Sequence, residues 1–225
     1  MMAQKSLRNL IWVGFGWIAS FGLWAELKPY EAEPPDIVLT APQQANMAAG
    51  KLVYVMDHTL GQLKEVAIAF RVKASPEKVW RVLSDFGQYP QWSYRVGSAV
   101  GQFLGNDHWL VDFTTHLKQH YYLVHHVPMK DWLSWHTDHS QLNDCVLDTV
   151  GFWRVKAVEG FDHLSDVFWY GRMRFSRLCA NGIFEIGGFD ARSMGQIIYK
   201  NLRLQAESLL ISGPDPKHTV LPIEP

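Results

Sequence analysis

VKASPEKVWRVLSDFGQYPQW, residues 72–92, is the stretch on which the fold turns. Ser75 suits a helix N-cap, Pro76 the first helical position, and Glu77 the positive end of the helix dipole. Val79, Trp80 and Leu83 share one face of that helix. Gly87 and Pro90 break it, and residues 85–92 should form a second short helical turn. Upstream, Val66, Ile68, Phe70 and Val72 alternate with Glu65, Ala67, Ala69 and Arg71. That period of two marks a half-buried strand over 63–72, preceded by a strand at 51–56 and a turn at Gly61.

Downstream the chain reads as strands with short turns at 95–104, 108–117, 120–128, 131–140, 146–158 and 163–177. The period then changes. Over 190–211, Met194, Ile198, Leu202 and Leu209 fall on one helical stripe, with Arg192, Lys200, Arg203 and Glu207 mostly elsewhere. Strands, a helix, a six-stranded meander and a long final helix define an α+β chain with an antiparallel sheet.

Composition narrows the function. Of 225 residues, 48% are apolar and 19% charged, which is globular and excludes a mainly disordered chain. The net charge is -1, and no basic block offers a nucleic acid its phosphate contacts. Aromatic residues reach 13%, enough for a wide core or the lining of a hydrophobic pocket. No cofactor is expected.

The two ends differ from the body. Lys5 and Arg8 precede an uncharged, mostly apolar run at 9–24, with Leu23 and Ala25, or Ser20 and Gly22, suited to a cleavage site. The run is shorter than the ~20 residues of a usual span, so residues 1–25 read as a secretory signal. An uncleaved anchor is the alternative. Either implies an exported protein, periplasmic or otherwise extracytoplasmic. Residues 26–50 hold four prolines and read as a linker or extended arm, and 212–225 as a disordered tail. The folded body is then 51–211.

Two features carry a family likeness. Residues 72–92 resemble the strand, (A/S)-P-x-x-V-W-x-V-L-x-D helix and Y-P-x-W turn that open the polyketide cyclase/START-like superfamily. Residues 198–207 are similar to its closing helix. The resemblance implies a helix-grip fold, in which a curved antiparallel sheet wraps the C-terminal helix around a cavity. It also implies lipids, sterols, quinones or hormones as ligands, with a minority of members cyclising or hydrolysing them.

Hairpin arithmetic tests the cavity independently. With Lys118-Gln119 as a turn tip, Phe113 faces Val124; with Met129-Lys130 as the next, Val124 faces Trp135 and His126 faces Leu133. Cross-strand partners share a face. One face then carries Trp109, Val111, Phe113, Thr115, Tyr122, Val124, His126, Leu133 and Trp135, the other mostly polar residues. Trp169 and Met173 point inward from the last strand; Phe152 and Trp153 leave it open which of them does. Candidate ligand-binding residues are therefore Trp92, Phe113, Tyr122, His126, Trp135, Trp169, Met173, Met194 and Ile198. A filled core is the competing outcome for these aromatics.

Three constellations remain. Seven histidines lie between His108 and His139, but no CxxC, HxH or HExxH spacing accompanies them, so no metal site is expected. The same arithmetic sets Asp112 and Ser134 either side of His125 on the polar face, an exposed ion pair rather than a catalytic triad. Cys145 and Cys179 come out opposite each other across the last hairpin, and an oxidising compartment would let them join.

The expected function is an exported carrier or sensor of a hydrophobic small molecule or lipid, with a transient membrane contact. The alternatives are a cyclase/dehydrase-type enzyme using His126 and Tyr122 as acid and base, and a ligand-free interaction module.

Overall fold

The computed structural model describes residues 27–30, 32–115, 118–126, 130–140, 144–180 and 191–209. The expected signal and tail, residues 116 and 117, and the expected turn residue Met129 lie outside them.

Eight strands form one antiparallel sheet: β1 (Val53–Leu60), β2 (Leu63–Val72), β3 (Val96–Gly105), β4 (His108–Thr115), β5 (Lys118–His126), β6 (Trp132–Thr137), β7 (Val146–Val158) and β8 (Phe161–Phe175). Their order across the sheet is β1-β2-β8-β7-β6-β5-β4-β3. Among the described residues the helices are α1 (Ala41–Ala48), α2 (Pro76–Ser84), α3 (Tyr89–Trp92) and α4 (Ala191–Ser208), with a 3-10 turn at Phe86–Gln88 before α3 and helical residues at 177–180. This is the α+β helix-grip architecture.

Ser75 and Pro76 stand at the expected start of α2, although the Ser75 hydroxyl makes no capping bond. Val79, Val82 and Leu83 are buried from α2, and Met194, Ile198, Leu202 and Ala206 from α4. They meet Val66, Ile68, Phe70, Val111, Val124 and Trp153 on one face of the sheet, in a single core. Tyr54 pins α4 by donating its hydroxyl to Arg192 O at 2.6 Å.

The β5–β6 register is as expected, with Val124 opposite Trp135 and His126 opposite Leu133. The β4–β5 register is not. Thr115 pairs with Lys118, so the tip is two residues earlier than expected and Phe113 faces His120 instead of Val124. An even slip keeps every side chain on its face, and the inward set is unchanged. It does separate Asp112 from His125. Asp112 lies opposite Tyr121, and His125 opposite His108, their rings stacked at 4.5 Å. The Asp112–His125 ion pair, and with it the Ser134 trio, is not formed. Among the described residues no three His, Cys, Asp or Glu side chains converge as metal ligands.

The described part of residues 26–50 is no free linker. Leu27 N–H donates to the buried Asp148 carboxylate at 2.6 Å. Tyr30 packs edge-on to Phe152 at 5.3 Å, and Glu33, Asp36 and Pro34 O surround the Arg154 guanidinium. The chain thus runs along the outer face parallel to β7, past 148, 152 and 154 in turn. Leu39 and Met47 then close a second small core over Val53, Ala69 and Phe168. This arm resolves the Phe152–Trp153 ambiguity: Trp153 faces the main core, and Phe152 is buried on the other face, stacked on Tyr170 at 5.3 Å.

Antiparallel pairing gives the sheet two ends. At one lie the β1–β2 turn, Val96, Thr115, Val146 and Phe175; at the other, the turns β3–β4, β5–β6 and β7–β8 and the start of α2. Cys145 and Cys179 are joined at the first end, with Cα atoms 5.3 Å apart.

Candidate functional site

Between the sheet and helices α3 and α4 lies a cavity of about 200 Å³. Its floor is the inward face of β4 to β8, with Phe113, Thr115, Tyr122, Leu133, Trp153 and Met173 among its residues. Phe86, Tyr89 and Tyr94 roof it from the α3 region, and Met194 and Ile198 from α4. It occupies the half of the sheet nearest Val96, Thr115, Val146 and Phe175, here called the cavity end.

Two indoles define the wall. Trp135 and Trp169 stack at 6.2 Å between ring centroids, 24° from parallel. They can lie there because the sheet is bare beneath them. Gly151 pairs with both Trp135 and Gly171. A Cβ on Gly151 would stand 2.3 Å from the Trp135 ring, and one on Gly171 would stand 2.8 Å from the Trp169 ring. Neither glycine stood out in the sequence, because an isolated strand glycine signals a bulge as readily as a close approach.

Polar atoms are few and sit together. His120 Nε2 and Thr115 Oγ1 share a hydrogen bond at 3.0 Å. Tyr122 is two residues along the same strand, its ring parallel to the His120 ring at 6.1 Å. Burial pushes the Tyr122 phenol well above its ordinary pKa. No described residue hydrogen-bonds its hydroxyl. Tyr89 is raised in the same way by burial, with Asp85 adding to it, but its hydroxyl donates to Leu83 O at 2.9 Å. The Tyr122 hydroxyl is thus a neutral donor facing an apolar space. A left-handed residue, Arg95 at φ 55, turns the chain from α3 into β3 beside Tyr94.

Of the nine residues singled out from the sequence, Phe113, Tyr122, Trp135, Trp169, Met173, Met194 and Ile198 line this cavity. Trp92 and His126 do not. Trp92, at the end of α3, is fully buried outside the lining, packed on Tyr89 at 4.3 Å and Trp153 at 6.0 Å. His126 lies at the opposite end of β5, stacked on Trp80 at 5.5 Å. Strand parity assigns a face but not a position along it, and α2 covers the far half of that face. The supposed acid–base pair of His126 and Tyr122 is therefore not assembled. His120 stands beside Tyr122 instead; the misplaced turn tip had hidden its position on the wall.

A sheet gripping the last described helix around an aromatic cavity defines the helix-grip fold. Residues 64–203 match the polyketide cyclase/dehydrase and lipid transport family, and the chain belongs to it. No curated protein matches the chain. Among solved structures, the Zhui aromatase/cyclase from Streptomyces sp. R1128 is similar over 64% of this chain and 94% of its own, at 12% identity and a TM-score of 0.54. A protein from Thermus thermophilus is similar over 64% of this chain and 97% of its own, at 13% identity and a TM-score of 0.51. At such identities the likeness is one of fold.

Proposed function

We propose that the protein is an extracytoplasmic carrier or sensor of a compact hydrophobic ligand bearing one polar group. The observation that carries this reading is the Tyr122 hydroxyl, a donor without a described partner in a cavity walled by Trp135, Trp153, Trp169 and Phe113. Tyr122 is half-buried with its ring on the cavity wall, and a hydrogen bond from its hydroxyl to a ligand's oxygen is worth about 0.5–1.5 kcal/mol. Size restricts the class. A dry cavity of about 150 Å³ accepts a benzene ring, and drug-sized ligands occupy ~300–1,000 Å³. At about 200 Å³, the space suits one or two rings or a short chain. A diacyl lipid would need it to widen. Native mass spectrometry of protein isolated from its own envelope should show a bound mass of about 100–200 daltons, released on denaturation. A chain purified only in the empty state, and binding nothing from an envelope lipid extract, would count against the reading.

A second reading rests on His120 beside Tyr122. A neutral phenol can donate a proton, and a histidine held by Thr115 can accept one, as cyclase/dehydrase chemistry requires. The recovered ligand separates the two. Carriage returns it unchanged after long incubation; catalysis converts it, and His120→Gln stops the conversion without releasing the ligand.

A further inference from the structure

We infer that residues 32–50 form a strap, running from Arg154 on the outer face to α4 on the inner face, that sets how freely α4 opens over the cavity. The helix needs such a hold where it roofs the cavity. Its later turns bury Leu202 and Ala206 in the main core, whereas Met194 and Ile198 of its early turns line the unfilled space. Side chains over a void lose packing partners on that side, so the early turns open more readily than the rest.

Two contacts offset this, and each stands beside a roof residue. Gly195, next to Met194, lets the helix close on Tyr54, whose hydroxyl donates to Arg192 O at 2.6 Å; a Cβ there would lie 2.9 Å from that hydroxyl oxygen. Tyr199, next to Ile198, donates its hydroxyl to Gly50 O and accepts a bond from Arg203. The first contact belongs to β1. The second belongs to the strap.

Gly50 ends a continuous path of contacts. Its N–H donates to Met47 O at 2.9 Å, and Lys51 N–H donates to Asn46 O at 3.0 Å, so the acceptor of Tyr199 moves with α1. Met47 and Leu39 hold α1 on the outer face, buried against Val53, Ala69 and Phe168. Before α1, Glu33, Pro34 O and Asp36 close on Arg154, and Lys156 reaches Asp36 at 2.6 Å. After it, the chain rounds the sheet at the edge strand β1, where Val53 packs in the outer core and Leu52 and Tyr54 against the inner one. Freeing α1 therefore withdraws the acceptor of Tyr199 and loosens the turn that carries Ile198, while Tyr54 keeps the start of the helix in place.

The test is hydrogen exchange on the folded, ligand-free protein, comparing the parent with Met47→Asp, which puts a charge into the outer core under α1. Exchange should be several-fold faster at 43–48 and at 195–199, with 66–70 in β2 unchanged. Unchanged exchange at 195–199, or at 43–48, overturns the inference. If Met47→Asp loosens 66–70 as well, Tyr199→Phe decides. It keeps the ring, and 195–199 should still exchange several-fold faster with 66–70 as in the parent; equal exchange at 195–199 overturns the strap. The effect on binding rests on the cavity taking an apolar ligand. A neutral naphthylamine probe should leave Tyr199→Phe several-fold faster than the parent, and an equal dissociation rate overturns the inference. A parent that binds no probe contradicts the cavity's proposed role alone, and the ligand-free exchange then decides the strap.

Discussion

Gly151 and Gly171 face each other across β7 and β8, and each yields its Cβ position to an indole. Gly171→Ala would press on Trp169, a rigid ring, and should cost about 1–3 kcal/mol, read as a lowered Tm. It should also weaken binding of any probe stacked on that wall, since the ring must move into the cavity. An unchanged Tm would show that the floor has slack. Tyr122→Phe keeps the ring and removes the hydroxyl, so an oxygen-bearing ligand should lose about tenfold in affinity while a hydrocarbon analogue loses none. Because burial raises the Tyr122 phenol, this contribution should be level from pH 6 to 9. His136 behaves oppositely. Burial, aided by His139, lowers its pKa, and burial with His108 lowers that of His125. The unfolded chain then takes up protons first, so stability should fall as pH drops through and below about 6.5. A Tm series from pH 7.5 to 5 checks this, and His136→Gln should flatten the slope. Parity along each strand was legible at this scale and named five cavity-lining side chains, and the stripe of the last helix named two more, Met194 and Ile198. His126 was misread because depth along a strand depends on which helix covers it.

Residues 27–48 show how an element can be overlooked. Thr40 and Gln43 carry the spacing of a capping box, and Thr40 N–H donates to Gln43 Oε1 at 2.9 Å at the start of α1. The prolines around it suggested a linker, and the pairing of Glu33 and Asp36 with Arg154, about 120 residues on, has no local signature. Arg154 is 2% exposed, so removing its partners would strand a buried charge. Glu33→Gln with Asp36→Asn leaves Arg154 only Asp131 at 3.9 Å as a charged partner among the described residues, and should cost about 1–3 kcal/mol and free the arm to proteases. Resistance equal to the parent chain would reduce the arm to a surface decoration. At the cavity end of the sheet, the Cys145–Cys179 link closes a loop of 34 residues and should contribute ~2–4 kcal/mol. Denatured, unreduced protein should show no titratable thiol; two per chain would remove the link from the account. The strands and the long helix were legible because periods of two and 3.6 survive any tertiary context. The β4–β5 turn was misplaced, since Lys118, expected at the tip, pairs with Thr115 inside β5, and the last strand begins at Phe161, two residues earlier than expected.

At the scale of the whole molecule, the sheet has two occupied faces. One holds the arm and α1, the other the helices and, toward the cavity end, an aromatic space they do not fill. Most of the sheet's inward aromatics could have closed on one another as solid core, and sequence alone left that outcome open. What separates the two is the pair of glycines, which let Trp135 and Trp169 lie back against the floor. The central claim is that this space takes a hydrophobic ligand. Equilibrium titration with a neutral naphthylamine probe tests it most directly, using the parent chain and Met173→Trp, whose larger side chain would fill the cavity. The account predicts saturable one-to-one binding by the parent, and binding at least tenfold weaker by Met173→Trp with its circular dichroism unchanged. Equal binding by the two chains, or no saturable binding by the parent, would contradict it.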